Sequence, residues 1–235
     1  MAGRALHPSP PRALAASAVL FDLDGTLADS AGDLAGALNR VRTVRGLAPV
    51  DIAALRAHAS AGARGLLGAG MGVAPDHPHY AALRDEFLAY YEAGLADTTC
   101  LFDGVPALLD ALEARGIVWG IVTNKAQRFT TPLVAALGLA SRAGVVVSGD
   151  TTAHAKPHPA PLLHAAEALG MPAAACVYVG DDLRDVVAGN SAGMATIVAD
   201  YGYLGEAGSS EGWPATGWIE RPLALLDWLP PTPSG

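Results

Sequence analysis

Short, uninterrupted apolar runs recur along the chain, and each of them ends in polar residues. These runs are residues 18–21, 117–122, 144–147 and 176–179, with a weaker one at 195–198. A continuous apolar run without polar alternation is typical of a strand that is buried on both faces, as in a parallel sheet. The pattern therefore predicts five buried parallel strands.

The stretches between the later runs have the spacing and the end signals of helices. Residues 105–115 carry a proline in the first turn and are followed by Gly116, and residues 129–137 and 159–169 are also followed by glycine. Proline at the start and glycine after the end are common boundaries of helices. Strands that alternate with helices predict an α/β fold with a doubly wound parallel sheet, in which a ligand binds at the carboxyl ends of the strands.

The segment after the first strand departs from this alternation. Residues 33–45, 50–59 and 80–91 have the character of helices, and no convincing strand lies among them. We therefore predict a helical insertion after the first strand, with linkers near residues 28–30 and 96–102.

This organisation predicts two structural units. The first is a core formed by residues 13–29 and 97–235, and the second is a small helical cap formed by residues 30–96. Residues 1–12 contain three prolines and predict a loose leader. The leader and the apolar residues after it look like a short signal segment. Cleavage there would trim the first strand, so we expect a cytoplasmic protein.

Composition and charge narrow the classes of function. Hydrophobic residues make up 51% of the 235 residues and charged residues 16%, which is enough apolar material for a full core. Lys and Arg number 15 against 23 Asp and Glu, and this net charge of −8 argues against nucleic acid as the partner. No apolar run is long enough to span a bilayer, and the two cysteines fit a reducing compartment.

The strongest chemical signal follows the first apolar run. Asp22 and Asp24 stand two residues apart there, and Gly25 permits a sharp turn directly after them. Paired carboxylates at the end of a strand suit a nucleophile, a metal ligand or an acid–base pair. An ordinary acidic turn is the alternative interpretation, because acidic residues are common in turns.

Polar residues after three later runs weaken that alternative. Thr123 follows the second run, and Lys156 lies in a loop that two prolines stiffen. Asp181, Asp182 and Asp185 follow the fourth run and offer an oxygen-only site for Mg²⁺. Acids that favour the first turn of a helix are the alternative for the last two. Mg²⁺ and the lysine would compensate the charge of a phosphate beside these acids.

These four motifs, in this order, resemble those of the haloacid dehalogenase superfamily. The resemblance rests on Asp22-Leu-Asp24-Gly-Thr, Thr123, Lys156 and the run 180–185, and it extends over almost the whole chain. It implies a Rossmann-like core with the small cap of the phosphoglycolate phosphatase-like branch. An aspartate at position 24 implies a phosphatase rather than a dehalogenase.

The resemblance also implies a role for each matched residue. Asp22 would form an aspartyl-phosphate, and Asp24 would protonate the leaving oxygen and then activate the hydrolytic water. Thr123, Asn124 and Lys156 would bind the phosphoryl group. These roles agree with the physics of phosphoryl transfer, which mainly requires in-line positioning and neutralisation of charge.

The implied cofactor is Mg²⁺. Asp22, the backbone carbonyl of Asp24 and the carboxylate of Asp181 would hold the ion. Asp182 or Asp185 would act as a further ligand or would orient the others, and the sequence leaves the choice between these two open.

Substrate selection is expected in the cap, because the core contacts only the phosphate. The stretch 58–65 is expected as a loop between two cap helices, and Arg64 offers a bidentate partner for a substrate carboxylate. A solvated arginine on a loop is the alternative. Arg128 and Arg184 are further cations near the motifs, and Arg184 has structural pairing with neighbouring acids as its alternative role.

Local stretches refine the resemblance. Residues 60–64, 116–129, 180–185 and 201–203 look like those of bacterial N-acetylmuramic acid 6-phosphate phosphatases, which act in cell-wall recycling. The implied substrate joins a phosphate monoester to a carboxylate, as 2-phosphoglycolate also does. A small-molecule phosphate ester is therefore the expected partner, with N-acetylmuramate 6-phosphate as the first substrate and 2-phosphoglycolate as the alternative.

Two rival classes of function are a phosphosugar mutase and a catalytically silent binding module. A mutase needs a cap residue that binds a second phosphate, and the sequence shows no clear candidate. A silent module needs no nucleophile, so the complete set of acids with Thr123 and Lys156 argues against it. We expect a monomer or a homodimer.

Overall fold

A parallel sheet forms the centre of the structure, a computed structural model that describes residues 13–205 and 208–231. The predicted leader lies outside these residues. In chain order the strands are β1 (Ala18–Phe21), β2 (Ala28–Asp29), β3 (Cys100–Leu101), β4 (Val118–Val122), β5 (Val145–Val147), β6 (Cys176–Gly180), β7 (Ala195–Ala199) and β8 (Gly217–Ile219). Six of them form the sheet in the order β5-β4-β1-β6-β7-β8, and every neighbouring pair is parallel.

Helices alternate with these strands and also fill the segment between β2 and β3. The α-helices are α1 (Ala31–Thr43), α2 (Ile52–Leu55), α3 (Gly62–Met71), α4 (Tyr80–Ala93), α5 (Val105–Ala114), α6 (Gln127–Ala136), α7 (Ala160–Ala168) and α8 (Leu183–Ser191). Three 3₁₀ helices span Arg56–Ala61, Ala173–Ala175 and Pro222–Asp227. The α/β fold class with a doubly wound parallel sheet is thus confirmed.

The central strand β1 shows why the apolar runs are continuous. Val19 and Phe21 pack into one hydrophobic cluster, and Ala18 and Leu20 pack into another on the opposite face of the sheet. All four side chains are buried because helices cover both faces. A strand in this position has no solvent-facing side, so its sequence has no polar alternation.

The helices between β2 and β3 pack around a hydrophobic cluster of their own. Leu38, Leu66 and Phe87 lie at its centre, and each is completely buried. We refer to residues 31–93 as the helical segment. Its two connections to the sheet pair with each other, because β2 and β3 form an antiparallel ribbon. Within the described residues, no helix combines the length and the apolar character that crossing a membrane requires.

The structure also contains elements that the sequence pattern did not predict. Strand β8 extends the sheet beyond β7, and α3 occupies part of the stretch 58–65 that was expected as a loop. A three-residue strand is too short for a periodic signal, and α3 contains several glycines, which lower the helix propensity of its sequence.

Candidate active site

The carboxyl ends of β1, β4 and β6 open into a cavity of about 370 Å³. The three strands are in register, with Phe21 opposite both Ile121 and Val179, so the polar residues that follow them meet at one edge. The cavity lies between this edge and the helical segment. The sequence-predicted residues that line it are Asp22, Asp24, Thr123, Asn124, Arg128, Lys156, Asp182, Arg184 and Asp185.

Asp22 continues the line of β1 and is held at its carboxylate. Its backbone N–H donates to the carbonyl of Val179 at 2.9 Å, so the chain stays extended beyond the strand. Its Oδ1 accepts a hydrogen bond from the N–H of Leu23 at 2.8 Å and lies 2.9 Å from Nζ of Lys156. The carboxylate is therefore fixed at the floor of the cavity beside a positive charge.

Lys156 is buried and bridges two carboxylates. Its Nζ lies 2.9 Å from Oδ1 of Asp22 and 2.8 Å from Oδ1 of Asp185. It also donates to the hydroxyl of Tyr178 at 2.7 Å and to the carbonyl of Val122 at 2.9 Å. Burial by itself lowers the pKa of Lys156, but the charges of Asp185 and Asp22 outweigh it, so the net pKa is raised and the ammonium stays protonated.

Asn124 and Thr123 follow β4 in different roles. The Asn124 side chain donates to the carbonyl of Lys156 and accepts from its N–H, both at 2.9 Å, so it fixes the lysine loop. Thr123 is buried at the cavity wall, and its hydroxyl oxygen accepts the N–H of Lys125 at 3.2 Å. The phosphate-binding roles of both residues stay predictions.

Asp22, Asp181 and Asp185 form an acidic cluster. Each offers a carboxylate oxygen, and these oxygens lie within 4.8 Å of one another. Asp181 is completely buried, and it accepts the hydroxyl of Thr26 at 3.0 Å and the N–H of Tyr203 at 2.9 Å. Three carboxylates at this spacing form the all-oxygen donor set that hard divalent cations prefer.

The electrostatics of this acidic cluster also fit a bound cation. Burial raises the pKa of Asp22 to about 7, with Lys156 opposing the shift and Asp185 adding to it. Burial and the charges of Asp22 and Asp185 raise the pKa of Asp181 well above its usual range. Carboxylates that resist ionisation for these reasons are stabilised in their charged form by a metal ion.

Gly25 provides the space for this arrangement. The turn after Asp24 gives Gly25 a φ of +86°, and a Cβ at this position would overlap the carboxylate of Asp181. Glycine is the residue that accepts both conditions, a left-handed backbone and close approach of a buried side chain.

The two remaining acids of the fourth motif have different partners. Asp182 caps α8 and is paired with Arg184, whose Nε and Nη2 lie 2.8 and 2.9 Å from its two oxygens. Asp185 accepts the N–H of Asp182 at 3.0 Å and belongs to the acidic cluster. Asp185, and not Asp182, therefore belongs to the acidic cluster, and its role as a metal ligand stays a prediction.

The arginines of the site differ from the expectation. Arg64 lies on α3, is exposed and is not among the residues that line the cavity. Arg128 and Arg184 do line it, and Nη2 of Arg184 also donates to the carbonyl of Ser60 in the helical segment at 2.6 Å. The specificity role of Arg64 stays a prediction that the cavity lining does not support.

Lys125 and Tyr91 are among the polar residues of the site that were not singled out in the sequence. Lys125 lies 3.2 Å from Asp24 through Nζ and Oδ2, and Tyr91 reaches the same lysine from α4. Lys125 follows Thr123 and Asn124 directly, so its position after the second apolar run was a usable signal. No signal in the sequence connects Tyr91 with the site, because its contact spans the helical segment and the sheet.

Comparisons with known proteins place this geometry in a family. The model of haloacid dehalogenase-like hydrolases matches residues 16–193. N-acetylmuramic acid 6-phosphate phosphatase of Pseudomonas aeruginosa is 41% identical over 212 residues, which are 90% of this chain and 94% of that protein. A phosphoglycolate phosphatase of Xanthomonas campestris pv. campestris is 45% identical over 216 residues, 91% of this chain and 95% of that protein.

A solved structure agrees with these sequence relatives. The crystal structure of a predicted phosphoglycolate phosphatase from Haemophilus somnus aligns with a TM-score of 0.76 and 26% identity, and the alignment covers 90% of this chain and 97% of that one. The family model covers most of the chain. The two relatives are named as phosphatases, and their alignments with this chain cover nearly their whole length. The chain therefore belongs to the haloacid dehalogenase-like hydrolase family and is a phosphoric monoester hydrolase.

Proposed function

We propose that this phosphatase is Mg²⁺-dependent and hydrolyses N-acetylmuramate 6-phosphate through an aspartyl-phosphate. The observation that carries the chemistry is the contact of Asp22 with Lys156 and the acidic cluster at the floor of the cavity. A nucleophilic carboxylate beside a fixed cation and a metal-binding donor set is what phosphoryl transfer requires.

The proposed reaction has two balanced steps. In the first, a carboxylate oxygen of Asp22 bonds to phosphorus while the bond from phosphorus to the ester oxygen breaks, and Asp24 gives its proton to that oxygen. In the second, Asp24 takes a proton from water as the water oxygen attacks phosphorus, which releases phosphate and restores Asp22. Lys156 stays protonated through both steps and offsets the phosphate charge, and Mg²⁺ adds further charge neutralisation when bound.

The cavity supports the larger of the two candidate substrates. A volume of about 370 Å³ lies in the range of about 300–1,000 Å³ that is typical of sites for drug-sized ligands. An amino sugar with a lactyl group suits this space, whereas the two-carbon skeleton of 2-phosphoglycolate would leave much of it unfilled. Apolar side chains from both sides contribute to the wall, among them Leu34, Phe87, Leu88 and Phe129.

One arginine of the cavity is available for the substrate carboxylate. The guanidinium of Arg184 is held by Asp182 and by the carbonyl of Ser60. Arg128 instead stacks on Phe129, with its Cζ 4.4 Å from the ring centroid, and forms no ion pair within the described part of the chain. We therefore propose Arg128 as the residue that binds the carboxylate.

Turnover of a substrate panel tests the proposed substrate. We expect phosphate release from N-acetylmuramate 6-phosphate with a kcat/KM at least tenfold above that for 2-phosphoglycolate, hexose phosphates and nucleotides, and loss of release with EDTA. Asp22→Asn should abolish turnover while leaving the fold, measured by circular dichroism, intact. A preference for 2-phosphoglycolate, the activity in the name of the Xanthomonas relative, would instead support the second candidate.

A further inference from the structure

The two lysines of the sequence both lie at the active site. The other 13 cationic residues are arginines, and the two lysines are Lys125 and Lys156. Lys156 serves Asp22, with 2.9 Å between Nζ and Oδ1. Lys125 serves Asp24, with 3.2 Å between Nζ and Oδ2. Each of the two aspartates therefore has its own compact ammonium group, which approaches as a point charge in a way that a planar guanidinium does not.

Lys125 is held between the sheet and the helical segment. Its side chain is 7% exposed, and its Nζ donates to the hydroxyl of Tyr91 on α4 at 2.8 Å. The same ammonium lies 4.6 Å from the centroid of the Tyr91 ring. A buried ammonium is strongly destabilising without partners, so these contacts and the carboxylate of Asp24 together define where it lies.

The carboxylate of Asp24 is held on both of its oxygens. Oδ2 faces the ammonium of Lys125, and Oδ1 accepts a hydrogen bond from the hydroxyl of Ser30, which lies between β2 and α1. A carboxylate with one partner on each oxygen has a defined orientation. Proton transfer depends strongly on such orientation, because the donor must lie within hydrogen-bond reach of the reacting oxygen.

We infer that Lys125 is a positioning residue that orients Asp24 for proton transfer, and that Tyr91 makes this orientation depend on the helical segment. The inference rests on the proposed function, in which Asp24 exchanges protons with the leaving oxygen and with water. In this role Lys125 acts through the geometry of Asp24 and needs no contact with the phosphoryl group.

Two ester types separate this role from a general structural one. The leaving oxygen of an alkyl phosphate needs a proton, whereas 4-nitrophenolate leaves without one. We expect Lys125→Met to lower the single-turnover rate on an alkyl phosphate by about 10- to 100-fold. This loss is smaller than most of the roughly 10²- to 10⁴-fold that general acid catalysis contributes, because the proton donor Asp24 itself remains. With 4-nitrophenyl phosphate, the rate of the burst that releases the first nitrophenolate per enzyme should stay within threefold of the wild-type rate.

A milder variant tests the same role if Lys125→Met does not fold, and a neighbouring tyrosine provides the control. Tyr91→Phe keeps the ring and removes only the hydroxyl, and it should slow the alkyl phosphate by a smaller factor with the aryl burst intact. Tyr90→Phe, the neighbouring position on α4 outside the cavity lining, should change neither rate. The KM for both esters should change less than threefold in all three variants.

Asp24→Asn separates failure of this inference from failure of the proposed function. If Asp24→Asn slows the two ester types equally, Asp24 is not the proton donor and the proposed mechanism is wrong. If Asp24→Asn discriminates between them but Lys125→Met and Tyr91→Phe do not, the mechanism holds and the positioning role of Lys125 is overturned.

Discussion

At the residue scale, charge and burial act together on the three carboxylates beneath the cavity. Asp181 is completely buried with Thr26 and the backbone of Tyr203 as its partners, and its pKa is raised by burial and by Asp22 and Asp185. The sequence shows that acids follow these strands, but it does not show their burial or their neighbours. The presence of the carboxylates is therefore predictable from the sequence, whereas the direction of their pKa shifts is not. The motifs after the first and fourth apolar runs identified these three positions among their candidates, but only the structure grouped them and separated Asp185 from Asp182.

We expect the metal-free protein to lose stability as the pH rises from about 5 to about 8. An unfolded aspartate has already released most of its proton at the start of this window, whereas native Asp22 releases its proton only near its pKa of about 7, and the pKa of Asp181 is raised well above its usual range. The native state therefore binds more protons than the unfolded state, and the free energy of unfolding falls with rising pH. Thermal unfolding after dialysis against EDTA should show this as a lower Tm at pH 8.

Mg²⁺ should reverse the loss, with a larger increase in Tm at pH 8 than at pH 5, because the ion stabilises the charged carboxylates. Asp181→Asn removes one of these groups and should reduce both effects. Asp85→Asn alters an exposed ion pair with Arg84 and should leave both unchanged. A Tm of the metal-free wild-type protein that rises between pH 5 and pH 8 would contradict the raised pKa values of Asp22 and Asp181.

At the element scale, the two connections between the sheet and the helical segment are joined by Asp33. This residue lies in the first turn of α1 and accepts the N–H groups of Thr98 and Thr99 at 2.8 and 3.0 Å, and both hydroxyls as well. Burial opposes ionisation, but these hydrogen bonds from Thr98 and Thr99 prevail and lower the pKa of Asp33. The sequence predicted the helix and the linkers, but not this bond between them, since the partners are far apart in the chain.

Asp33→Asn should destabilise the protein. The change replaces a charged acceptor and leaves donors of Thr98 and Thr99 poorly paired, and hydrogen bonds to charged groups contribute about 1.5–3 kcal/mol. Urea unfolding at pH 7 should show a loss of about 2 kcal/mol, and the loss should shrink as the pH falls through the lowered pKa of Asp33, since the wild-type carboxylate is then protonated. A difference under about 0.5 kcal/mol at pH 7 would show that this bond is not needed.

At the scale of the whole molecule, the cavity exists because the helical segment faces the carboxyl edge of the sheet. The walls of the cavity include Ser60 and Phe87 from the helical segment and Thr123 and Arg128 from the sheet side. Arg184 connects the two sides through the carbonyl of Ser60. Which arginine can take part in substrate selection is therefore decided by the assembled cavity, which Arg128 and Arg184 line and Arg64 does not.

Two arginine variants test this selection. Arg128→Gln should lower kcat/KM for a carboxylate-bearing phosphate ester by about 10-fold or more, since a charged hydrogen-bonded pair contributes about 1.5–3 kcal/mol. It should leave a neutral hexose 6-phosphate within about threefold. Arg64→Gln, whose side chain lies outside the cavity lining, serves as the matched control and should change neither. The reverse pattern would return the specificity role to Arg64.

The sequence by itself determined the α/β class, the approximate positions of its five main strands and the identity of the acids and of Lys156 after them. These features depend on local hydrophobic runs and on the residue types directly after them, and both can be identified from neighbouring positions in the sequence. Tertiary structure alone decided which acids meet, that Lys125 contacts both Asp24 and Tyr91, and that Arg128 rather than Arg64 lines the cavity. Those contacts join residues from separate elements, and a side chain's direction across such a boundary depends on packing that no local pattern contains.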